Sequence, residues 1–157
     1  MIAVLQRVKK AAVAIDGETV GQCAEGLCIL LGVAKGDGEE DARALAEKIV
    51  GLRIFCDENG KMNLSLKDID GEALIISNFT LLASYRKGKR PDYMNAAAPE
   101  EANRLYEYFC SLCEGELRHT GRGVFGADME ISLVNDGPVT IVMDSCVLLK
   151  KASNIQN

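Results

Sequence analysis

The chain has 157 residues, 48% of them apolar and 26% charged, and a net charge of −5. That is length enough for one domain with a substantial core, and the composition of a globular protein, not a disordered one. No run of eighteen apolar residues marks a membrane span, and so acidic a chain is a poor coat for a nucleic-acid duplex.

Residues 1–8 lack the charged start and long apolar run of a signal peptide and read as a first strand, so the protein is expected in the cytoplasm. Residues 11–15 are again β-rich, and Asp16-Gly17 signals a hairpin into residues 18–23. Residues 26–33 are continuously apolar, as in a strand buried on both faces. The period then changes. Asp37 and Glu40 form an expected capping box, and Ala42, Leu45, Ala46 and Ile49 follow at helical spacing up to Gly51. Residues 52–56 read as a strand, 57–60 as a turn, 62–66 as ambiguous and 72–82 as strongly β. Residues 83–98 carry no clear period, a mark of a functional or mobile loop. Pro99 is placed to open a helix, with Glu100 and Glu101 in its first turn and a buried stripe of Ala102, Leu105, Tyr106, Phe109, Leu112 and Cys113. A Gly-rich connection over 120–126 leads to two last strands, 129–134 and 139–144. The count, about seven or eight strands and two long helices lying between strands, predicts a single α+β domain over 1–150. Its expected form is mixed and antiparallel sheets in β/β/α layers, barrel-like, with both helices on one face. A polar tail occupies 151–157. A second sheet or a second subunit is expected to cover the face the helices leave open.

Few residues are placed for familiar chemistry. The six cysteines fall inside apolar strand or helix patterns, where cysteine acts as a small hydrophobe, and are expected to stay reduced. Cys110-x-x-Cys113 has metal-like spacing, but no second CxxC and only one histidine, His119, accompany it, so no metal is expected. His119 lacks a serine motif to serve. Without GxGxxG or a P-loop, no nucleotide cofactor is expected. Arg86-Lys87-Gly88-Lys89-Arg90 reads either as a solvated loop or as a grip on a few phosphates at one end of an RNA. Ser77-Asn78-Phe79-Thr80-Leu81 puts polar groups at the end of a buried run. Its hydroxyls read either as satisfying a strand end or as lining a pocket with Thr80 as a nucleophile. Asn135-Asp136-Gly137-Pro138-Val139-Thr140 is turn chemistry and by itself reads as a turn connecting two strands. Pro138 belongs at an edge, a first strand residue or a bulge, and its X-Pro bond makes a cis peptide accessible.

Together the last two stretches resemble the D-aminoacyl-tRNA deacylase family. Ser77-Asn78-Phe79-Thr80-Leu81 is similar to its Ser-Gln-Phe-Thr motif and Asn135-Asp136-Gly137-Pro138-Val139-Thr140 to its Gly-Pro motif. The likeness runs from Met1 to about Ser145 through Gln6-Arg7-Val8, Leu31-Gly32-Val33, Leu52-Arg53-Ile54-Phe55, Gly60-Lys61-Met62-Asn63-Leu64, Arg90-Pro91 and Phe125-Gly126-Ala127-Asp128-Met129. Asn78 stands where the family usually has glutamine, and residues 120–123 depart from its usual Thr-Gly.

The resemblance implies a homodimer that hydrolyses the ester of D-aminoacyl-tRNA, and of glycyl-tRNA mischarged on tRNA-Ala, while rejecting the L form. It implies a cis Gly137-Pro138 bond reaching into the partner's pocket, with carbonyls that hold the substrate ammonium. Ser77, Phe79 and Thr80 are its catalytic positions, Asn78 and Met129 lie with the substrate, and Arg7 braces the loop. No cofactor is implied. Two other classes remain: a protein that binds the tRNA 3′ end without catalysis, and an esterase with Thr80 as nucleophile.

Overall fold

In the computed structural model, which describes residues 1–151, one long strand is bonded along both its edges. The expected tail therefore lies, Lys151 apart, outside the described residues. This strand, β1 (Ile2–Ile15), spans both of the runs expected separately. Lys9 and Lys10 between them are exposed; Lys9 is skipped in the pairing with β8, but Lys10 resumes it opposite Val134, so the strand continues past a local irregularity. On one edge β1 pairs antiparallel with β2 (Glu18–Cys23) and β3 (Gly26–Gly32). The β1–β2 turn is Asp16-Gly17, both with positive φ, as a tight hairpin requires. On the other edge lies β8 (Glu130–Asp144).

The two long helices are crossovers. From β3 the chain runs through α1 (Glu39–Val50) and a small hairpin of β4 (Phe55–Cys56) and β5 (Met62–Leu64) to β6 (Glu72–Ser77), parallel to β3. From β6 it passes a 3-10 turn (Phe79–Leu82) and α2 (Pro99–Glu114) to β7 (Thr120–Arg122), parallel to β6. Parallel neighbours need such crossovers, because no tight turn can join them. After β8 a one-turn helix, α3 (Ser145–Leu148), follows. Two expectations change here. The strand over 52–56 shrinks to Phe55–Cys56, and the Gly-rich connection contains a true strand, β7, three residues long and too short to show a period.

Alternation along β3 and β6 explains their unbroken apolar runs, since both faces are covered. Leu27, Ile29, Leu31, Ala73 and Ile75 join Leu45, Ile49, Leu105, Tyr106 and Phe109 in the core between sheet and helices. Cys28, Leu74 and Ile76 face the other way, into a second core with Val8, Val13 and Cys23 inside the curl of the sheet. The result is an α+β fold in β/β/α layers, barrel-like, with both long helices on one face. Cys110 and Cys113 are helix-core residues, and burial pushes both thiols up to about 12.

The curl is closed by glycine. A Cβ at Gly21 on β2 would sit 2.4 Å from the Arg122 carbonyl oxygen, and one at Gly121 on β7 would sit 2.4 Å from that of Gln22. The two backbones meet with no room for a side chain, and neither obstacle is a flexible group. At the other end, α1 is capped one residue later than expected. Gly38 is the N-cap, and Asp41, not Glu40, accepts the Gly38 N–H at 3.0 Å. Asp37 instead accepts the Ala34 N–H at 2.6 Å and pairs with the buried Met1 amine at 2.8 Å. Burial alone would raise the Asp41 carboxyl. The Gly38 N–H, the Ser145 hydroxyl and the Lys151 ammonium outweigh it and hold Asp41 below the ordinary carboxylate range.

Gly121→Ala should force β7 away from β2. Overpacking of this kind costs about 1–3 kcal/mol, and a backbone obstacle places it toward the upper end. Urea denaturation should show the loss as a lower midpoint with an unchanged slope, whereas an unaltered midpoint would mean that the closure is not tight.

Candidate functional site

β3 and β6 run parallel and end together at Gly32 and Ser77. Asn78 continues the ladder for one more bond, its N–H to the Leu31 carbonyl at 2.8 Å. The chain then leaves the sheet, so the strand expected over 72–82 stops at Ser77. The cause is Asn78 itself. Its Oδ1 accepts the Thr80 N–H at 3.1 Å and the Thr80 hydroxyl at 2.5 Å, which closes the 3-10 turn against further extension. Phe79 opens that turn, a position whose N–H has no partner within it.

Beside this turn lies a cavity of about 520 Å³. Leu31 and Val33 wall it from the sheet, Ala102 and Tyr106 from α2, and residues 125–129 from the segment before β8. Ser77, Asn78, Phe79 and Met129 all line it. Thr80 does not; it is exposed on the rim, with its hydroxyl donated to Asn78. The ionisable side chains in the wall are Asp128 and Tyr106. The Tyr106 hydroxyl lies 2.9 Å from the Ile75 carbonyl and 3.0 Å from that of Gly123, and burial drives its pKa upward. His119 stands elsewhere, its Nε2 3.0 Å from the Gln22 carbonyl oxygen. Among the described residues no three His, Cys, Asp or Glu side chains gather to hold a metal ion. Tyr106, Phe125 and Asp128 were not singled out as site residues from sequence. Helical spacing marks Tyr106 only as core, and Phe125 and Asp128 stand in the block quoted for the resemblance, of which only Met129 was named as a site residue.

The second motif is built differently from its expected form. Residues 129–134 and 139–144 are not two strands around a turn but parts of the single strand β8. Thr140 pairs with Gln6 and Asn135 with Val8, so one β1 residue, Arg7, faces the four residues 136–139. The surplus forms a bulge, the third setting that suits a strand proline. Side chains replace the missing ladder. Arg7 Nε lies 3.0 Å from the Asp136 carboxylate and donates to the Asp136 carbonyl at 3.3 Å, while Nη1 donates to the Ile54 carbonyl at 2.5 Å. Gln6 Oε1 accepts from Asn135 Nδ2 at 2.9 Å and from the Thr140 hydroxyl at 2.5 Å, stapling both ends. The Gly137-Pro138 peptide is cis. Gly137 has φ +125, and a Cβ there would lie 3.0 Å from Val139 N and 3.2 Å from Arg7 Nη2, so only glycine fits. Gly137 and Pro138 are exposed, and neither lines the cavity of its own chain.

These two motifs, with the whole of the sheet between them, coincide with a known pattern: a family model described as D-Tyr-tRNA(Tyr) deacylase matches residues 4–144. The chain belongs to that family. The D-aminoacyl-tRNA deacylase of Caldicellulosiruptor saccharolyticus is 59% identical over 145 residues, which cover 92% of this chain and 97% of that one. That of Thermosipho africanus is 57% identical with the same coverage. A solved c-Myc DNA Unwinding Element Binding Protein superposes with a TM-score of 0.86 at 37% identity, covering 92% of this chain and 98% of its own. A probable eukaryotic D-amino acid tRNA deacylase superposes at 0.74 with 16% identity, covering 90% and 97%, a likeness of fold alone. Membership makes this chain a hydrolase, a deacylase of D-aminoacyl-tRNA.

Arg7 holds the bulge through a planar fork that an ammonium cannot copy. Arg7→Lys should therefore keep the charge, lose one of the two anchors and cost about 2 kcal/mol, below the 3–5 kcal/mol of a fully buried pair because Asp136 is partly solvated. Chemical denaturation of the purified variant should show it; a midpoint equal to that of the parent would mean the bulge stands without Arg7.

Proposed function

We propose that the cavity beside Ser77, Asn78 and Phe79 receives the aminoacylated 3′-terminal adenosine of tRNA. Its ester is cleaved there when the amino acid is D or glycine, and spared when it is L. One observation carries the reading. Among the described residues, the ionisable groups of the cavity wall are Asp128 and Tyr106, so no histidine, lysine or cysteine stands there to activate the Ser77 hydroxyl, and the Thr80 hydroxyl is donated to Asn78. An aminoacyl ester is already reactive, so positioning and a backbone donor at the developing oxyanion supply much of the acceleration. The Phe79 N–H, left over by the turn, is that donor. Ser77 orients the ester, Met129 packs on it, and Asn78 holds the turn in shape.

The chiral wall comes from a second copy of this chain. Gly137 and Pro138 are exposed and lie outside their own cavity, which supports their insertion into that of a partner protomer in a homodimer. There the two carbonyls hold the substrate ammonium, and the ring and backbone leave no space for an L side chain. A D side chain points outward. Rejection by clash needs no contact with the side chain itself, so one pocket serves many D residues. Glycine has nothing to reject, which accounts for the release of glycine mischarged on tRNA-Ala. This is chiral proofreading in translation, and it places the protein in the cytoplasm.

The remaining actor is the 2′-hydroxyl of the terminal adenosine, adjacent to the ester and present at high effective concentration. It takes part directly or orients the attacking water. The experiment compares D- and L-aminoacyl-tRNA, and D-aminoacyl-tRNA ending in 2′-deoxyadenosine. The D ester should be hydrolysed far faster than the L ester, the deoxy substrate should bind yet turn over slowly, and Thr80→Val should keep much of its activity. Normal turnover of the deoxy substrate together with an inactive Thr80→Val would make Thr80 the nucleophile, and tight binding without hydrolysis would leave a tRNA-end binding protein.

Sharing of sites has its own measurement. Ala127→Trp fills the cavity, and Pro138→Gly removes the wall. Mixed after dissociation, the two variants should form heterodimers that contain one intact site each. Discriminating sites should reach about one quarter of the parental number, as statistical pairing of a two-fold dimer gives, so L-ester hydrolysis should fall to about half that of the unmixed pair while D-ester hydrolysis is kept. A mixture no better than its parts would put cavity and loop in the same protomer.

A further inference from the structure

The loop without sequence period is a built hairpin at the edge of the cavity. Ser84 and Asp92 pair antiparallel, with Ser84 N to Asp92 O at 2.7 Å and Asp92 N to Ser84 O at 2.8 Å. Its base follows directly on the 3-10 turn that lines the cavity, and the Asp92 side chain fixes the exit by accepting the Met94 N–H at 2.7 Å. Between the paired residues lie Arg86, Lys87, Lys89 and Arg90, all exposed. Among the described residues none of the four makes an ion pair, whereas Arg7, Lys9, Lys67, Arg104, Arg118, Arg122 and Lys151 all do. Four such cations within five residues, on a protein of net charge −5, form a local attractor for anions.

Aromatic surface accompanies the charge. Tyr85 is 80% exposed and Phe79 is 59% exposed. Tyr93 meets Phe79 edge to face, with ring centroids 5.1 Å apart, so a continuous aromatic rim runs from the cavity mouth to the hairpin base. Buried cores do not leave rings out in this way, and no other aromatic side chain of the described residues is as exposed as Tyr85. Stacking faces beside free cations are the combination that holds single-stranded nucleic acid.

We infer that the hairpin over 84–92 is a rail for the unpaired nucleotides preceding the terminal adenosine, with Tyr85 as a stacking platform and Arg86, Lys87, Lys89 and Arg90 on their phosphates. The inference rests on the proposed placing of the aminoacyl adenosine in the adjoining cavity. It adds a partner chemistry that the cavity does not specify: flexible single strand, not duplex. Four residues of extended chain reach at most about 14 Å, so the hairpin serves the nucleotides next to the cavity and not the body of the RNA.

The test is binding, read apart from hydrolysis. Uncharged tRNA with its single-stranded 3′ end is compared with the same acceptor stem made blunt, against the parent protein, Tyr85→Ala, and the fourfold variant in which Arg86, Lys87, Lys89 and Arg90 are all replaced by Gln. Thermal melting confirms that each variant is folded. The parent should prefer the single-stranded end. Tyr85→Ala should weaken binding to it by about tenfold, as removal of one stacked base does. The fourfold variant should flatten the dependence of log affinity on log salt by about 0.7 for each phosphate no longer neutralised. Both should bind the blunt stem as the parent does. Equal affinity of the parent for the two RNAs, or variants with unchanged affinity and salt slope, would overturn the inference and leave the patch to an acidic protein surface. Failure of the parent to hydrolyse a D-aminoacyl ester, with these binding differences intact, would instead remove the deacylase reading alone.

Discussion

The pairing of β1 with β8 is the constraint on which the rest depends. β1 is bonded along both edges over most of its length, and it joins β2 and β8 to β3 and the strands beyond. Its match with β8 breaks twice, at Lys9, which has no partner, and opposite Arg7, where four residues face one. A ladder that lets go must satisfy its backbone groups some other way. Here Arg7 donates to the Asp136 carbonyl and Asn135 to the Arg7 carbonyl, while Gln6 ties the Asn135 and Thr140 side chains together, which turns a defect in pairing into a braced protrusion. The exposed Gly137-Pro138 peptide is braced by these bonds and stands clear of its own cavity.

The helices decide where the cavity lies. Because α1 and α2 are crossovers, β3 and β6 run in the same direction and end at the same level. Ligands in α/β sheets collect outside the carboxyl ends of such strands, where the backbone leaves the sheet and its groups come free. Asn78 sets that departure, with Tyr106 of α2 tying the Ile75 and Gly123 carbonyls behind it. Among the described residues, the polar side chains that line the cavity are those of Ser77, Asn78, Tyr106 and Asp128.

Secondary structure and family were largely legible in the sequence, since both are local or additive. Period-two alternation, Asp16-Gly17, Pro99 at a helix start and the apolar stripe of α2 depend on neighbours within a few residues. The departures share a cause. Asp37 has cap chemistry but is drawn to the Met1 amine, so the box moves to Asp41. Residues 78–82 have β propensity, but the Asn78 side chain offers the backbone a better local bond. β7 is a strand through its parallel pairing with β6, and Gly21 and Gly121 let β2 approach it, relations invisible in either segment alone.

The candidate site divides in the same way. Ser77, Gly137 and Pro138 were marked by residue type, because turn and strand-end chemistry is written into the residues that perform it, and Phe79 and Arg7 by the family resemblance. That residues 135–140 are a bulge within one strand, and not a turn between two, was decided by the register against β1, which no hexapeptide carries. That Thr80 is committed to Asn78 while Tyr106 and Asp128 face the cavity was decided by how sheet, turn and helix pack. The sequence by itself determined the elements, the family and the unusual peptide; the tertiary structure alone decided which groups are spent on holding the fold and which are left to meet a substrate, because hydrogen-bond partners far apart in the chain become neighbours only when the sheet closes.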